Sequence, residues 1–175
     1  MDVPAEFWTD LGVAPAALLA LDYDGTLAPF RRQRDEAVPY PGVARLLAGI
    51  RDETGTRLVL LSGRPPAEVS DLLGLQPSLE VWGNHGWESL DAQGRLHRHA
   101  LPGHAAVALD SAQHAVTASG WPTEQVERKH ASLALHWRGA EHPADRAAAA
   151  RDLLAPYATE KDLALLEFAA GLELR

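Results

Sequence analysis

The order of apolar and polar segments predicts an α/β protein built from an open parallel sheet and a smaller α+β unit. Three short apolar runs at 18–21, 58–61 and 79–82 are separated by segments of helical periodicity. Strands that alternate with helices in this way are typical of a parallel sheet with right-handed crossovers. The later part of the chain alternates over shorter stretches, so we predict one domain over residues 1–100 and a second over residues 101–175.

The first helix and the first long connection follow from apolar spacing. Phe7, Trp8 and Leu11 lie on one side of a short helix that Gly12 ends, and we expect this side to pack against the sheet. Residues 28–41 are mostly polar and are expected to form a loop beside the end of the first strand.

Two more helices and a hairpin complete the predicted first domain. Apolar residues recur with the i, i+3, i+4, i+7 spacing of a single buried helical stripe at Val43, Leu46, Leu47 and Ile50. Another helix is predicted over 66–73. Residues 88–100 surround a turn signal and are expected to form a β-hairpin.

The second domain is predicted to contain four short strands and two helices. The strands are expected at 125–129, 131–138, 163–168 and 172–174. The first helix ends near residue 118 and directs Val107 and Val116 inward. The second helix begins at Pro143, because proline is favoured at the first helical position.

Composition disfavours several classes of protein. The 175 residues carry a formal net charge of −8 and a pI near 5.4, which argues against nucleic acid as a partner because phosphates attract basic surfaces. The chain has no cysteine, which excludes disulfides and thiolate zinc sites. It has neither an apolar run of membrane-spanning length nor a signal-peptide pattern, so we expect a cytoplasmic protein without a membrane partner.

The chemistry is predicted to centre on the end of the first strand. Asp22 and Asp24 follow an apolar run, and Gly25 allows a turn with positive φ. In open parallel sheets, ligands bind in the crevice at these strand ends. Two neighbouring carboxylates repel each other unless a cation or a proton intervenes, and Mg²⁺ prefers such oxygen ligands. A single aspartate here is often only a turn former, but the full apolar-apolar-Asp-x-Asp-Gly-Thr-Leu string is far more restrictive.

Polar residues also follow the second and third strands. Ser62, Gly63 and Arg64 end the second strand, where a hydroxyl and helix-terminal N–H groups are suited to bind phosphate. The alternative is that Ser62 or Gly63 only caps the following helix. Asn84 and His85 end the third strand, and we expect all three strand ends to face one rim of the sheet.

The Asp-x-Asp-Gly-Thr stretch resembles the first motif of the haloacid-dehalogenase superfamily, and Ser-Gly-Arg resembles its second. The Gly-Asn-His-Gly string resembles the trehalose 6-phosphate phosphatase family within it. The resemblance implies part of a Rossmann-like core with an α+β cap. It also implies a hydrolase of trehalose biosynthesis that uses Mg²⁺ and an aspartyl-phosphate to release phosphate from trehalose 6-phosphate.

The resemblance further implies roles for single residues. Asp22 would be the nucleophile and Asp24 the general acid and base, while the Asp22 carboxylate and the Asp24 carbonyl would hold the Mg²⁺ ion. Contacts to the phosphate and the substrate are implied for Gly25, Thr26, Ser62, Gly63, Arg64, Asn84 and His85.

Two stretches of the second domain resemble cap motifs of the family. Glu127 and Lys129 in one stretch, and His136 and Arg138 in the other, are implied to hold the sugar and its phosphate. The alternative is a solvated strand face with ordinary charge pairs. The remaining histidines lack the spacing of metal ligands and are expected at the surface: His97, His99, His104 and His114.

Two further family motifs, a lysine and an acidic cluster, are not matched before Arg175. The resemblance therefore implies half of the core plus the cap, with weak or no activity in this chain alone. It also implies an exposed edge at the first strand, which is open to self-association. The other interpretations are a phosphatase of a different sugar phosphate, a non-catalytic module that binds sugar phosphates, and an incomplete chain without a stable fold.

Overall fold

The computed structural model describes residues 3–31, 33–158 and 162–175. The helices are α1 (Ala5–Val13), α2 (Val43–Glu53), α3 (Pro66–Leu73), α4 (Gly103–Ala118) and α5 (Pro143–Leu154). The strands are β1 (Leu18–Asp22), β2 (Arg57–Leu61), β3 (Glu80–Gly83), β4 (Glu88–Leu90), β5 (Leu96–Arg98), β6 (Val126–Arg128), β7 (Leu133–His136), β8 (Leu165–Phe168) and β9 (Gly171–Leu174). The chain divides into two compact units, Met1–Arg98 and His99–Arg175.

The first unit is built on a five-stranded sheet with the order β1-β2-β3-β4-β5. The strands β1, β2 and β3 are parallel, whereas β4 and β5 continue the sheet as an antiparallel hairpin. The register pairs Asp22 with Leu61 and Leu61 with Trp82, so the three parallel strands end side by side. The α/β class and the parallel sheet predicted from the sequence are confirmed.

The core of the first unit lies between this sheet and α2 and α3. Leu60, Val69 and Val81 are fully buried, and Leu47 contributes from α2. The apolar stripe predicted on α2 is wrong at Leu46, which is 66% exposed. The helix buries a narrower stripe than its i, i+3, i+4, i+7 spacing suggests, because Leu47 is its only fully buried residue among those described.

Helix α1 forms as predicted, but its predicted packing against the sheet is wrong. No residue of α1 is buried, and Gly12 lies inside the helix, which ends at Val13. The ring of Phe7 packs edge-on against that of Trp8, with centroids 5.2 Å apart, and both side chains remain about half exposed. Among the described residues β1 pairs with β2 alone, and Leu18 is exposed.

The second unit is a four-stranded antiparallel sheet with the order β6-β7-β9-β8. Alternate residues of the strands pack against α4 and α5, where Leu109 and Leu154 are fully buried. Val116 faces this core as predicted, but the prediction for Val107 is wrong because it is 67% exposed. Successive helix positions turn by about 100°, so a residue two positions before Leu109 lies on the opposite side of α4.

None of the helices in the described parts of the chain combines the length and the apolar character that a membrane crossing requires.

Candidate active site

The ends of β1, β2 and β3 surround a cavity of about 420 Å³. Its walls are formed by Asp22, Leu61, Ser62, Gly63, Trp82, His85 and Gly86. We call it the strand-end cavity. The parallel register explains its position, because it places the residues that follow the three strands at one edge of the sheet. The structure thus brings the predicted residues Asp22, Ser62, Gly63 and His85 together.

The turn after β1 is closed by its own backbone. Gly25 has a φ of 83°, as its role in the turn predicts. Its N–H donates to the carbonyl of Ala28 at 2.7 Å, and the N–H of Thr26 donates to the carbonyl of Tyr23 at 3.3 Å. These two amides are therefore engaged inside the turn. The Thr26 hydroxyl donates to Asp22 Oδ2 at 3.5 Å.

The Ser62 side chain stabilises the turn that follows β2. Its Oγ accepts a hydrogen bond from the N–H of Arg64 at 3.1 Å, and the residue is 7% exposed. Helix α3 begins after Pro65 and has no side-chain cap. Capping of α3 by Ser62 or Gly63 is therefore not formed, and the hydroxyl is held at the cavity wall instead.

Arg64 is buried, and most of its hydrogen-bonding capacity is used within the first unit. Its Nε and Nη2 donate to the two carboxylate oxygens of Asp24, each at 2.8 Å. Its Nη1 donates to the backbone carbonyl of Arg34 at 2.7 Å and to the carboxylate of Glu68. The hydrogen bonds to Asp24 raise the pKa of Arg64 above its usual value. Arg64 thus holds Asp24, a contact different from the phosphate contact expected from the sequence.

Tyr23 lies between the two aspartates in sequence and is fully buried. Its hydroxyl donates to the carbonyl of Ala37 at 2.8 Å, which ties the loop after β1 to the core. Burial raises the pKa of Tyr23 to about 12. The guanidinium of Arg64 lies 5.8 Å from the centroid of its ring.

Three consecutive residues after β3 take left-handed backbone conformations, with φ of 49° at Asn84, 57° at His85 and 92° at Gly86. Residues other than glycine rarely adopt this backbone conformation, so contacts with the surrounding structure must hold the loop in place. The N–H of Asn84 donates to the carbonyl of Arg64 at 2.9 Å, and that of His85 donates to the carbonyl of Ser62 at 3.3 Å. The second and third strand ends are therefore joined by backbone hydrogen bonds.

Gly63 leaves space for the His85 ring in its present position. A Cβ atom on residue 63 would come within 2.8 Å of His85 Cε1 and 3.2 Å of Nε2. The imidazole therefore lies directly against the Gly63 backbone at the wall of the strand-end cavity. Asn84 points elsewhere, because its Nδ2 donates to the buried carboxylate of Glu88, which also accepts from Arg98 at 2.7 Å.

The first unit offers few protein ligands for a divalent cation. No cluster of three or more His, Cys, Asp or Glu side chains suited to a metal occurs in residues 3–31, 33–158 and 162–175. Arg64 occupies both carboxylate oxygens of Asp24. The carboxylate of Asp22 and the carbonyl of Asp24 are acceptors of the kind Mg²⁺ uses, and Mg²⁺ often binds through one or two protein oxygens together with water and phosphate. These two residues fit such an ion.

In the second unit, charged side chains gather on the sheet face that points away from α4 and α5. His136 Nε2 lies 3.3 Å from Glu127 Oε2, and Lys129 Nζ lies 3.8 Å from a carboxylate oxygen of both Glu127 and Glu173. The Ser132 hydroxyl donates to Glu173 Oε1 at 2.7 Å. We call this side of the sheet the open face. The strand register explains it, because Glu127, Ala134 and Glu173 lie in one row across β6, β7 and β9.

Two members of this cluster were missed by the sequence analysis. Glu173 and Ser132 are both buried, at 7% and 5% exposure. Glu173 alternates with Leu172 and Leu174 in an apolar strand, and a charged residue inside such a strand was the available signal. Arg138 follows the end of β7 and is exposed. The histidines expected at the surface, His97, His99, His104 and His114, are exposed as predicted.

The sequence profile of the trehalose-phosphatase family matches residues 20–165. The chain belongs to the trehalose-phosphatase family. It is 32% identical over 124 residues to a trehalose-6-phosphate phosphatase of Escherichia coli K12, covering 71% of this chain and 46% of that protein. It is 30% identical over 128 residues to a trehalose-phosphate phosphatase of Mycobacterium ulcerans, covering 72% of this chain and 32% of that protein. The chain thus spans less than half the length of these relatives.

Solved structures share the fold of this trehalose-phosphatase family member. The C-terminal domain of a Candida albicans trehalose-6-phosphate phosphatase superposes with a TM-score of 0.74 at 21% identity, covering 95% of this chain and 59% of that one. A trehalose-6-phosphate phosphatase related protein superposes with a TM-score of 0.65 at 20% identity, covering 91% and 67%. At these identities the likeness supports the fold, and the family assignment comes from the sequence match.

Proposed function

We propose that this chain carries the nucleophile and the sugar-binding face of a phosphatase that hydrolyses trehalose 6-phosphate. The observation that carries the proposal is the strand-end cavity, where the carboxylate of Asp22, the hydroxyl of Ser62 and the imidazole of His85 surround one space. The membership in the trehalose-phosphatase family supports the choice of substrate.

In the first proposed step, a carboxylate oxygen of Asp22 attacks the phosphorus atom of the ester. A new bond forms between this oxygen and phosphorus, and the bond from phosphorus to the sugar oxygen breaks. Asp24 gives its proton to the leaving sugar oxygen. The products are free trehalose and an aspartyl-phosphate on Asp22.

In the second step, Asp24 accepts a proton from a water molecule whose oxygen attacks the phosphorus of the aspartyl-phosphate. The bond to Asp22 breaks, and inorganic phosphate is released. The cavity holds hydrogen-bonding groups of Ser62 and His85 at its wall, and we assign them to the phosphoryl oxygens, where charge develops during both steps.

Arg64 is proposed to position Asp24. Each Asp24 oxygen accepts one hydrogen bond from Arg64 and keeps a further lone pair that can carry the proton for the leaving group, so Arg64 fixes the carboxylate without using all of its acceptor capacity. The same guanidinium binds Glu68 and the Arg34 carbonyl, so it also connects α3 with the loop after β1.

Asp22 and the Asp24 carbonyl are the residues that would hold Mg²⁺. When bound, the ion would neutralise charge on the phosphoryl oxygens. The open face of the second unit is proposed to bind the sugar, since carboxylates, a lysine and an imidazole there offer both donors and acceptors to hydroxyl groups.

The proposal is tested by phosphate release from trehalose 6-phosphate in Mg²⁺ buffer with the enzyme in excess, which keeps slow release measurable. We expect Asp22→Asn to reduce release at least ~1000-fold, because it removes the nucleophile. Asp71→Asn, an exposed carboxylate on α3, is the matched control and should leave the rate unchanged. Equal rates in the native protein and Asp22→Asn would contradict the proposal. Faster phosphate release from sucrose 6-phosphate than from trehalose 6-phosphate would contradict the proposed substrate.

A further inference from the structure

We propose that Phe168 forms an aromatic platform for the sugar ring on the open face, next to His136. This inference deepens the proposed function and depends on it for the choice of ligand. It rests on where the strand register places Phe168, on the glycine beside it and on the polar groups around it.

The register puts Phe168 on the open face. Phe168 pairs with Gly171, and Gly171 pairs with His136, so the three residues form one row across β8, β9 and β7. Directly paired residues of antiparallel strands direct their side chains to the same face. The rings of Phe168 and His136 meet with centroids 5.3 Å apart in an edge-on arrangement.

Gly171 makes room for this ring. A Cβ atom on residue 171 would lie 2.0 Å from Phe168 Cζ and 2.2 Å from Cε2. The backbone of Gly171 lies outside the left-handed region, so the turn does not require a glycine there. The neighbouring residue with positive φ is Ala170, at 59°. The sequence therefore places its glycine where the aromatic ring lies rather than where the backbone of the turn would favour one.

The ring is positioned to act together with polar groups. Phe168 remains 38% exposed although it packs over Gly171. Its neighbour His136 lies 3.3 Å from Glu127, whose row also holds Glu173. A binding site with an apolar aromatic surface and a few placed polar groups is the usual form for small-molecule recognition. A sugar ring has both kinds of surface, since its C–H groups are apolar and its hydroxyl groups donate and accept hydrogen bonds.

A purely structural role for Phe168 is the alternative, because an aromatic ring that covers a glycine on a neighbouring strand can stabilise a sheet. The two roles differ in what they affect. A structural role changes the thermal stability alone, whereas a platform changes the affinity for the sugar. Glu167 is the control, since it precedes Phe168 on the same strand but lies on the opposite face, where it pairs with Arg151.

The experiment measures the dissociation constants of trehalose 6-phosphate and inorganic phosphate by calorimetry, with melting temperatures recorded for every variant. We expect Phe168→Leu and Gly171→Ala each to weaken trehalose 6-phosphate binding by about tenfold, a typical size for loss of an aromatic contact. Phosphate binding should stay within about twofold of the native value in every variant. Trehalose 6-phosphate binding should also stay within about twofold in Glu167→Gln and in the conservative variant Phe168→Tyr.

An unchanged affinity for trehalose 6-phosphate in Phe168→Leu would overturn the platform, and so would an equal loss in Glu167→Gln. A native protein that binds trehalose 6-phosphate no better than phosphate would overturn both the platform and the proposed substrate. A Phe168-dependent affinity combined with phosphate release that does not depend on Asp22 would support the platform and contradict the proposed chemistry.

Discussion

The two units arrange their polar residues in different ways. In the first unit, Asp22, Ser62 and His85 follow the ends of parallel strands and are fixed by tight turns. In the second unit, Glu127 and the buried Glu173 lie on one face of an antiparallel sheet and come together only because β6 and β9 both flank β7. Chemistry that needs fixed distances is supported by the rigid strand ends, whereas an open sheet face offers a broad surface for a larger ligand.

This difference predicts that changes in the first unit act mainly on the rate of phosphate release and changes in the second unit mainly on ligand affinity. Substitutions in the two units test this division, in order of decreasing expected effect.

Replacing Arg64 should have the largest effect. Arg64→Met leaves the carboxylates of Asp24 and Glu68 without their shared partner. We expect a loss of about 2 kcal/mol in the free energy of unfolding, less than for a fully buried pair because both carboxylates are partly exposed. Phosphate release should fall about a hundredfold with little change in KM, because Asp24 loses its position.

Urea denaturation and steady-state kinetics measure these two effects separately. Arg57→Met is a suitable control, because Arg57 pairs with Glu80 in the same sheet but is mostly exposed. Native-like kinetics in Arg64→Met would show that Asp24 is positioned without Arg64.

Replacing Ser62 should have a smaller effect. Ser62→Ala removes the acceptor for the Arg64 N–H, which should cost about 1 kcal/mol of stability. It also removes the hydroxyl assigned to the phosphoryl oxygens, and we expect release to slow by about tenfold. Ser70→Ala in α3 is the control, since the Ser70 hydroxyl donates to that of Ser78 at 3.3 Å. Equal kinetics in the two variants would show that the Ser62 hydroxyl has no role in the proposed site.

The strand ends of the first unit were predictable because their signals are local. An apolar run that leads into Asp22, or into Ser62, indicates within a few residues both where the strand ends and which polar groups lie there. The bounds of α3 were also predictable, because Pro66 and Gly74 mark its two ends.

Contacts between residues that are distant in sequence were not predictable. Arg64 and Asp24 are 40 residues apart, and Ser132 and Glu173 are 41 apart. Such pairs depend on strand register and helix packing, which apolar periodicity does not determine. The predicted packing of α1 against the sheet was wrong for a related reason, because an apolar stripe on a helix does not indicate which surface covers it.

Glu173→Gln tests the second unit. It removes the charge opposite Lys129 but keeps the size and an acceptor for Ser132. We expect about tenfold weaker binding of trehalose 6-phosphate with a nearly unchanged rate constant at saturation. Glu167→Gln is the control, because Glu167 lies on the opposite face and pairs with Arg151 at the surface. A lower rate at saturating substrate in Glu173→Gln would contradict the division in which the first unit determines the rate and the second unit determines the affinity.

The smallest effect is expected from the titration of Tyr23. Its pKa of about 12 means that the folded state binds the phenolic proton more tightly than the unfolded chain does, where the pKa is about 10. The stabilisation of the folded state by the protonated Tyr23 is therefore fully present below pH ~10 and is lost as pH rises towards ~12. Tyrosinate absorbance should show a late titration step for Tyr23, and this step should vanish in Tyr23→Phe. A late step that persists in Tyr23→Phe would contradict the assignment to Tyr23.

The most direct test of the central claim is the capture of the aspartyl-phosphate. The chain is mixed with trehalose 6-phosphate and Mg²⁺, quenched in acid and digested with trypsin, and the peptide of residues 1–31 is fragmented in a mass spectrometer. We predict a phosphoryl group on Asp22 in the native chain and none in Asp22→Asn. In Asp24→Asn we predict it in a larger fraction of the molecules if this substitution slows the second step more than the first. A phosphoryl group on another residue, or one that persists in Asp22→Asn, would contradict the account.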